Sequence, residues 1–261
     1  CALPILSEVY PGNKTDSSQF ADTMKQMKKR FRNIAGKDAE ITIVFDRGNN
    51  SLANISLLEE EGLKFHYVGG LRKDQVPDLF AVPKNQYQPL ECPKTASEKY
   101  RNLSTFRMHT KVLGRTMTTV VIHNPELERG QLQGIYINIE KTTADFLAMQ
   151  GRLLKRTKGE IKGGKKPTAD SIQKAIDRFL APREFMKDVF EYEILEKDGH
   201  LLLTFACSDA KLAEITERQL GKTALFTDRD DLTDYQIISA YRSAWHVEHS
   251  FRQMKDRKSV V

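Results

Sequence analysis

Across the first 70 residues, short strand-like runs alternate with helical periodicity, and this alternation constrains the fold more than any other feature. Residues 40–45, Glu-Ile-Thr-Ile-Val-Phe, form a β-branched run that reads as a buried strand. It ends at Asp46-Arg47-Gly48. Before it, Phe20, Met24, Met27 and Phe31 recur at helical spacing, with Lys and Arg opposite, predicting a helix from Asp16 or Ser17 to about Ile34. Residues 3–10 alternate as a strand. After Asp46, a helix is expected over 51–61, then a strand over 64–68 closed by Gly69-Gly70. Strand, helix, strand, helix, strand is an α/β order with some parallel pairing.

From about 85 to 205 the pattern changes. Residues 104–123 read as two strands joined at Leu113-Gly114, residues 131–157 as a long helix, and 168–188 as a second helical stretch. Between those helices lies a basic, glycine-rich loop, 158–167. Strands over 189–196 and 201–206 face each other across Lys197-Asp198-Gly199-His200, where Asp-Gly is a hairpin signal. A helix near 209–219 and a strand at 223–227 follow, and Thr233 or Asp234 starts the last helix. The expected organisation is a core over 1–84, an inserted subdomain over 85–205, and the rest of the core over 206–261.

The last helix carries Tyr241, Glu248 and Lys255 at intervals of seven. Seven residues make almost two helical turns, so the three share one face. A core-facing stripe would put an apolar residue where Glu248 stands. Asp46 sits where an apolar strand gives way to a flexible turn, a place where α/β folds put catalytic groups. An ordinary turn aspartate is the alternative there.

Three segments together resemble the DDE transposases of the insertion-sequence-four superfamily. The run from Tyr241 to Lys255 is similar to their Tyr-x2-Arg-x3-Glu-x6-Lys signature. Val44-Phe45-Asp46-Arg47-Gly48, with Asn54 downstream, resembles the segment around their second catalytic aspartate. Pro11-Gly12-Asn13-Lys14-Thr15-Asp16-Ser17 resembles their preceding Gly-Asn-x-x-Asp turn. The resemblance implies an α/β fold with a ribonuclease-H-like core and mixed sheet, interrupted by a large α+β insertion. It implies DNA strand cleavage and transfer at transposon ends. Asp46 and Glu248 become catalytic metal ligands for Mg²⁺ or Mn²⁺, because hard cations take oxygen ligands and a metal pair serves phosphodiester cleavage. Tyr241, Trp245, Arg252 and Lys255 become DNA contacts. The implied partner is double-stranded DNA, the terminal inverted repeats and the target, with a homodimer assembled on it in a bacterial or archaeal cytoplasm. The family's first catalytic aspartate has no counterpart, since the chain opens at Cys1 on what reads as a later strand and stops soon after the signature. Both ends look cut, and such a fragment is expected to be inactive alone.

The signature departs from the pattern at Ala244, where arginine is expected. Arg242 points about 200° around the helix from that position, while Arg252, one turn after Glu248, lies on the right face. Trp245 reads equally as a core aromatic or as a stacking residue at the DNA end. Lys155, Arg156, Lys158, Lys162, Lys165 and Lys166 form a basic run, either a solvated loop or a phosphate-contacting one. The formal charge of +6 agrees mildly with a polyanionic partner. Cys1, Cys92 and Cys207 lie too far apart for a zinc motif and fit a reducing compartment. Gly221-Lys222-Thr223 imitates the end of a P-loop but precedes a strand. No apolar run approaches the ~20 residues of a membrane span. An inactive DNA-binding remnant of such an element and an unrelated α/β metal hydrolase are the competing readings.

Overall fold

The structure, a computed structural model, describes residues 24, 26, 41–45, 47, 50–59 and 65–243. The strand expected over 3–10 lies outside them, as does the helix expected over 16–34 apart from Met24 and Gln26, both helical. The chain divides into two compact units. One comprises residues up to Asn124 and from Lys222 onward; the other is Pro125–Gly221.

The first unit holds a mixed six-stranded sheet. Its strands are β1 (Ile41–Phe45), β2 (Phe65–Leu71), β3 (Gln88–Pro89), β4 (Ser104–Val112), β5 (Arg115–His123) and β8 (Lys222–Thr227), in the order β1-β2-β8-β5-β4-β3. β1 and β2 are parallel, with Phe45 opposite Gly69, and every other neighbouring pair is antiparallel. All seven residues of β2 are buried, as befits a strand covered on both faces. Side-chain alternation builds the two covering layers. Phe65, Tyr67, Leu71, Val121 and Phe226 pack with Ile55 and Leu58 of helix α1 (Leu52–Glu59). Val68, Val120, Ile122 and Leu225 pack with Leu103, Tyr100, Ile237 and Ile238.

β2 runs through Gly69 and Gly70 to Leu71, whereas the sequence predicts its end at the glycine pair. The β4–β5 hairpin turns at Leu113 (φ 49°) and Gly114 (φ 83°), as the sequence suggests. Expected within the inserted stretch, β4 and β5 instead belong to the main sheet, because β5 pairs with β8 along six residues from Thr118 to His123.

In the second unit, helix α2 (Pro125–Thr157) starts earlier than the expected 131. Proline is pre-organised for a first helical position, and Glu126 and Glu128 favour the first turn. Helix α3 (Ala169–Leu180) is opened by a Thr168–Ser171 capping box and stops short of the expected 188. Pro182 cannot continue a helix, and Phe185 adopts φ 65° before a single turn over Met186–Val189. Strands β6 (Phe190–Lys197) and β7 (His200–Cys207) form the expected hairpin, turning at Asp198 (φ 51°) and Gly199 (φ 74°). Helix α4 (Asp209–Gln219) completes the unit. Its core centres on Phe146, fully buried, whose ring stacks on Phe205 at 4.7 Å and meets Phe179 edge-on at 5.0 Å.

Candidate functional site

The carboxyl end of the parallel pair β1–β2 is where open α/β sheets present ligand-binding groups. The chain leaves β1 at Phe45, opposite Gly69. It is tied down again by Asn50, whose side-chain amide donates to the Gly70 carbonyl oxygen. Asn50 is thereby held beside the end of β2. The Asn50 Oδ1 is buried and, among the described residues, has no hydrogen-bond partner.

Gly70 is the meeting point. A β-carbon there would lie 2.5 Å from the Tyr241 hydroxyl oxygen and 2.9 Å from Cγ of Arg47, closer than real β-carbons come to other atoms. Two sequence segments nearly 200 residues apart thus share one strand end. Glycine inside a strand commonly marks such an approach. The Gly69-Gly70 pair was the available signal, although the sequence reading took it for a strand end.

A helix described over 234–243 presents Tyr241, which is half-buried against the Val68–Ile237 layer. Thr233 caps this helix: its Oγ1 accepts from the Gln236 amide at 3.2 Å, and its own amide donates to Gln236 Oε1 at 2.8 Å. Ile237 and Ile238 anchor it, and Tyr235 meets Tyr100 edge-on at 5.2 Å. Arg242 turns elsewhere, donating to the Lys99 carbonyl oxygen at 3.2 Å and lying 4.9 Å over the Tyr100 ring.

Before the helix, the acidic loop Asp228–Asp234 is fastened to the sheet. Asp228 accepts from the Tyr67 amide at 2.9 Å and pairs with His66 Nδ1 at 2.8 Å. Arg107 donates to the carbonyl oxygens of Asp230 and Leu232 and to Asp234 Oδ1, at 3.0, 2.7 and 3.1 Å. Thr105 donates to Asp234 at 2.7 Å and Thr118 donates to Asp230. The Thr118 hydroxyl, then His109, holds the Asp230 carboxyl below its ordinary range. Arg229, forked onto Asp231, brings that carboxyl down to about 2. Burial, then the Asp228 charge, pushes the Tyr67 phenol up. In the sequence this loop carries no signal of its role, since single Asp residues between a strand and a helix read as turn formers.

Of the residues singled out from sequence, Tyr241 lies at Gly70. Asp46, Trp245, Glu248, Arg252 and Lys255 lie outside the described residues. Among the described residues, no group of three or more His, Cys, Asp or Glu comes together to hold a metal ion, and no helix is long and apolar enough to cross a membrane. Lys222 opens β8, and its buried ammonium donates to the Phe80 and Val82 carbonyl oxygens at 2.9 and 2.6 Å, a structural clasp unlike a P-loop lysine.

An α/β unit with a mixed six-stranded sheet, with Arg47 and Tyr241 meeting at one strand end, is consistent with a ribonuclease-H-like transposase fold. The family model described as transposase DDE domain matches residues 2–259, nearly the whole chain, and the chain belongs to that family. Comparison with curated proteins and with solved structures gives no match.

Proposed function

We propose that this transposase-family chain carries out metal-dependent DNA strand cleavage and transfer at insertion-sequence ends, as a member of the insertion-sequence-four group. The observation that carries the reading is the approach of Arg47 and Tyr241 at Gly70. Asp46 is bonded to Arg47, so its Cα lies about 3.8 Å from that of Arg47. Glu248 follows Tyr241 by seven residues, the spacing of one helix face. The reading assigns Asp46 and Glu248, two carboxylates distant in sequence, to the site beside that strand end.

In this reading Asp46 and Glu248 are the metal-holding pair. Mg²⁺ or Mn²⁺ bound there would supply an activated water and neutralise the leaving oxygen. Tyr241, Trp245, Arg252 and Lys255 border the same cleft and steady the DNA. The capped helix 234–243 and the pinned loop before it hold that face against the sheet. The second unit, lying in sequence between β5 and β8, is the insertion that interrupts the catalytic core. The protein acts in the cytoplasm on terminal repeats and target DNA, as a homodimer when assembled there.

The test is strand nicking of terminal-repeat duplex with Mg²⁺ or Mn²⁺ by this chain, expected to be inactive alone, and by a form extended upstream, comparing the form that nicks with its Asp46→Asn and Glu248→Gln variants. Loss of nicking by at least about 100-fold in both variants, with duplex binding retained, is expected. Nicking that survives Glu248→Gln would overturn the assignment.

A further inference from the structure

The second unit contains a cavity of about 390 Å³ bounded by the end of α2, the loop after it and the β6–β7 hairpin. Arg156 reaches it from α2, Lys166 from the loop and His200 from the start of β7, with Leu153, Ile161 and Leu201 as apolar wall. The loop is built around Arg156. The guanidinium donates to the Gly163 carbonyl oxygen at 3.2 Å. Gly164 takes φ 85°, and a β-carbon on it would stand 3.3 Å from the same Arg156 nitrogen. Lys155, Lys158, Lys162 and Lys165 are exposed in the same segment.

Bringing Arg156 and Lys166 from separate elements to one concavity costs Coulomb energy that a freely solvated loop would avoid by splaying its charges. Glu196 is the one acidic residue on the wall. An anion seated between the cations removes the cost. A cavity of this size with an apolar side accommodates a sugar-phosphate unit, and the surrounding lysines extend the positive field along a strand.

We propose that this cavity is a second DNA-contacting site, seating a backbone phosphate of duplex DNA through Arg156 and Lys166. The proposal rests on the reading of the chain as a DNA-handling transposase.

Duplex binding by the full chain, followed by fluorescence anisotropy across KCl concentrations, tests it. Each phosphate contact contributes about 0.9 to the slope of log K against log salt. Arg156→Gln with Lys166→Gln should flatten the slope by about 0.9, the share of one phosphate, and weaken binding about fivefold at moderate salt. Lys111→Gln with Lys187→Gln, the same charge change at exposed positions that do not line the cavity, should leave it unaltered. Lys166→Gln alone keeps the Arg156–Gly163 hydrogen bond and should flatten the slope in the same direction by less than the double variant, which covers a double variant that folds poorly. An unchanged slope in a folded variant overturns the proposal while the transposase reading stands. Failure of the unaltered chain to bind duplex removes the reading itself. Inorganic phosphate that raises the melting temperature of the unaltered chain but not of the variant, without a slope change, would make the cavity a small-anion site and overturn the DNA assignment.

Discussion

The Tyr241 hydroxyl oxygen lies 2.5 Å from the point where Gly70 would carry a β-carbon. A residue of the C-terminal helix therefore rests directly on the backbone of a central strand, and the fit depends on the missing methyl. Cγ of Arg47 lies 2.9 Å from the same point. One glycine thus admits both the segment that follows Asp46 and the helix that leads towards Glu248.

Gly70→Ala should destabilise the first unit by about 1–3 kcal/mol, the usual cost of forcing an extra carbon into a packed site. Tyr241→Phe removes the atom that the new methyl would strike. In a double-mutant cycle by urea unfolding, the pair should couple favourably by at least about 0.5 kcal/mol. Strict additivity would mean that Gly70 is required for some other reason.

Gly199→Ala isolates the opposite cause. Its β-carbon would meet nothing within 4 Å, but Gly199 sits at φ 74° in the β6–β7 turn. The expected loss is about 1 kcal/mol, all of it backbone conformation. Gly199→Asn, which tolerates this region better, should recover part of it. Equal losses for Ala and Asn in thermal unfolding would contradict a conformational origin.

Asn50→Asp keeps size and shape but replaces the amide that donates to Gly70 with a carboxylate facing a carbonyl oxygen. Asn50→Ala only removes the hydrogen bond, at about 1 kcal/mol. The aspartate variant should be the less stable of the two, and both should speed amide hydrogen exchange at Asn50 and Ser51. Protection as slow as in the unaltered chain would show that Asn50 does not hold that segment.

Asp230 gives the loop before the last helix a pH dependence. Its carboxyl is held low by Thr118 and His109, so the folded state favours the charged form. That contribution is fully present above the unfolded carboxyl range, near 3.9, and fades as pH falls through the lower folded value. The side chain is 69% exposed, so the effect is modest and weakens with salt. The melting-temperature gap between the unaltered chain and Asp230→Asn should narrow below about pH 4. A gap that stays constant down to pH 2.5 would exclude this origin.

The sequence alone identified most of the elements. The β-branched run at 41–45 and the Asp-Gly turn at 198–199 act over a few residues, so their signals survive without context. Membership of the transposase family was legible too, and the family match over residues 2–259 agrees with it. The sequence placed the end of β2 at its glycines, since local propensity counts glycine as a breaker. Only the tertiary structure decides that Gly70 continues the strand, because Tyr241 and Arg47 need its open side. Likewise β4 and β5 were recognisable as a hairpin, but their place in the main sheet depends on β8, about a hundred residues further on. Asp228, Asp230 and Asp234 are ordinary turn residues until His66, Arg107, His109 and Thr118 arrive from other strands. Periodicity and turn chemistry are written within a few residues. Strand partners, close backbone approaches and charge pairing arise between distant segments, and they exist only once the chain has closed on itself.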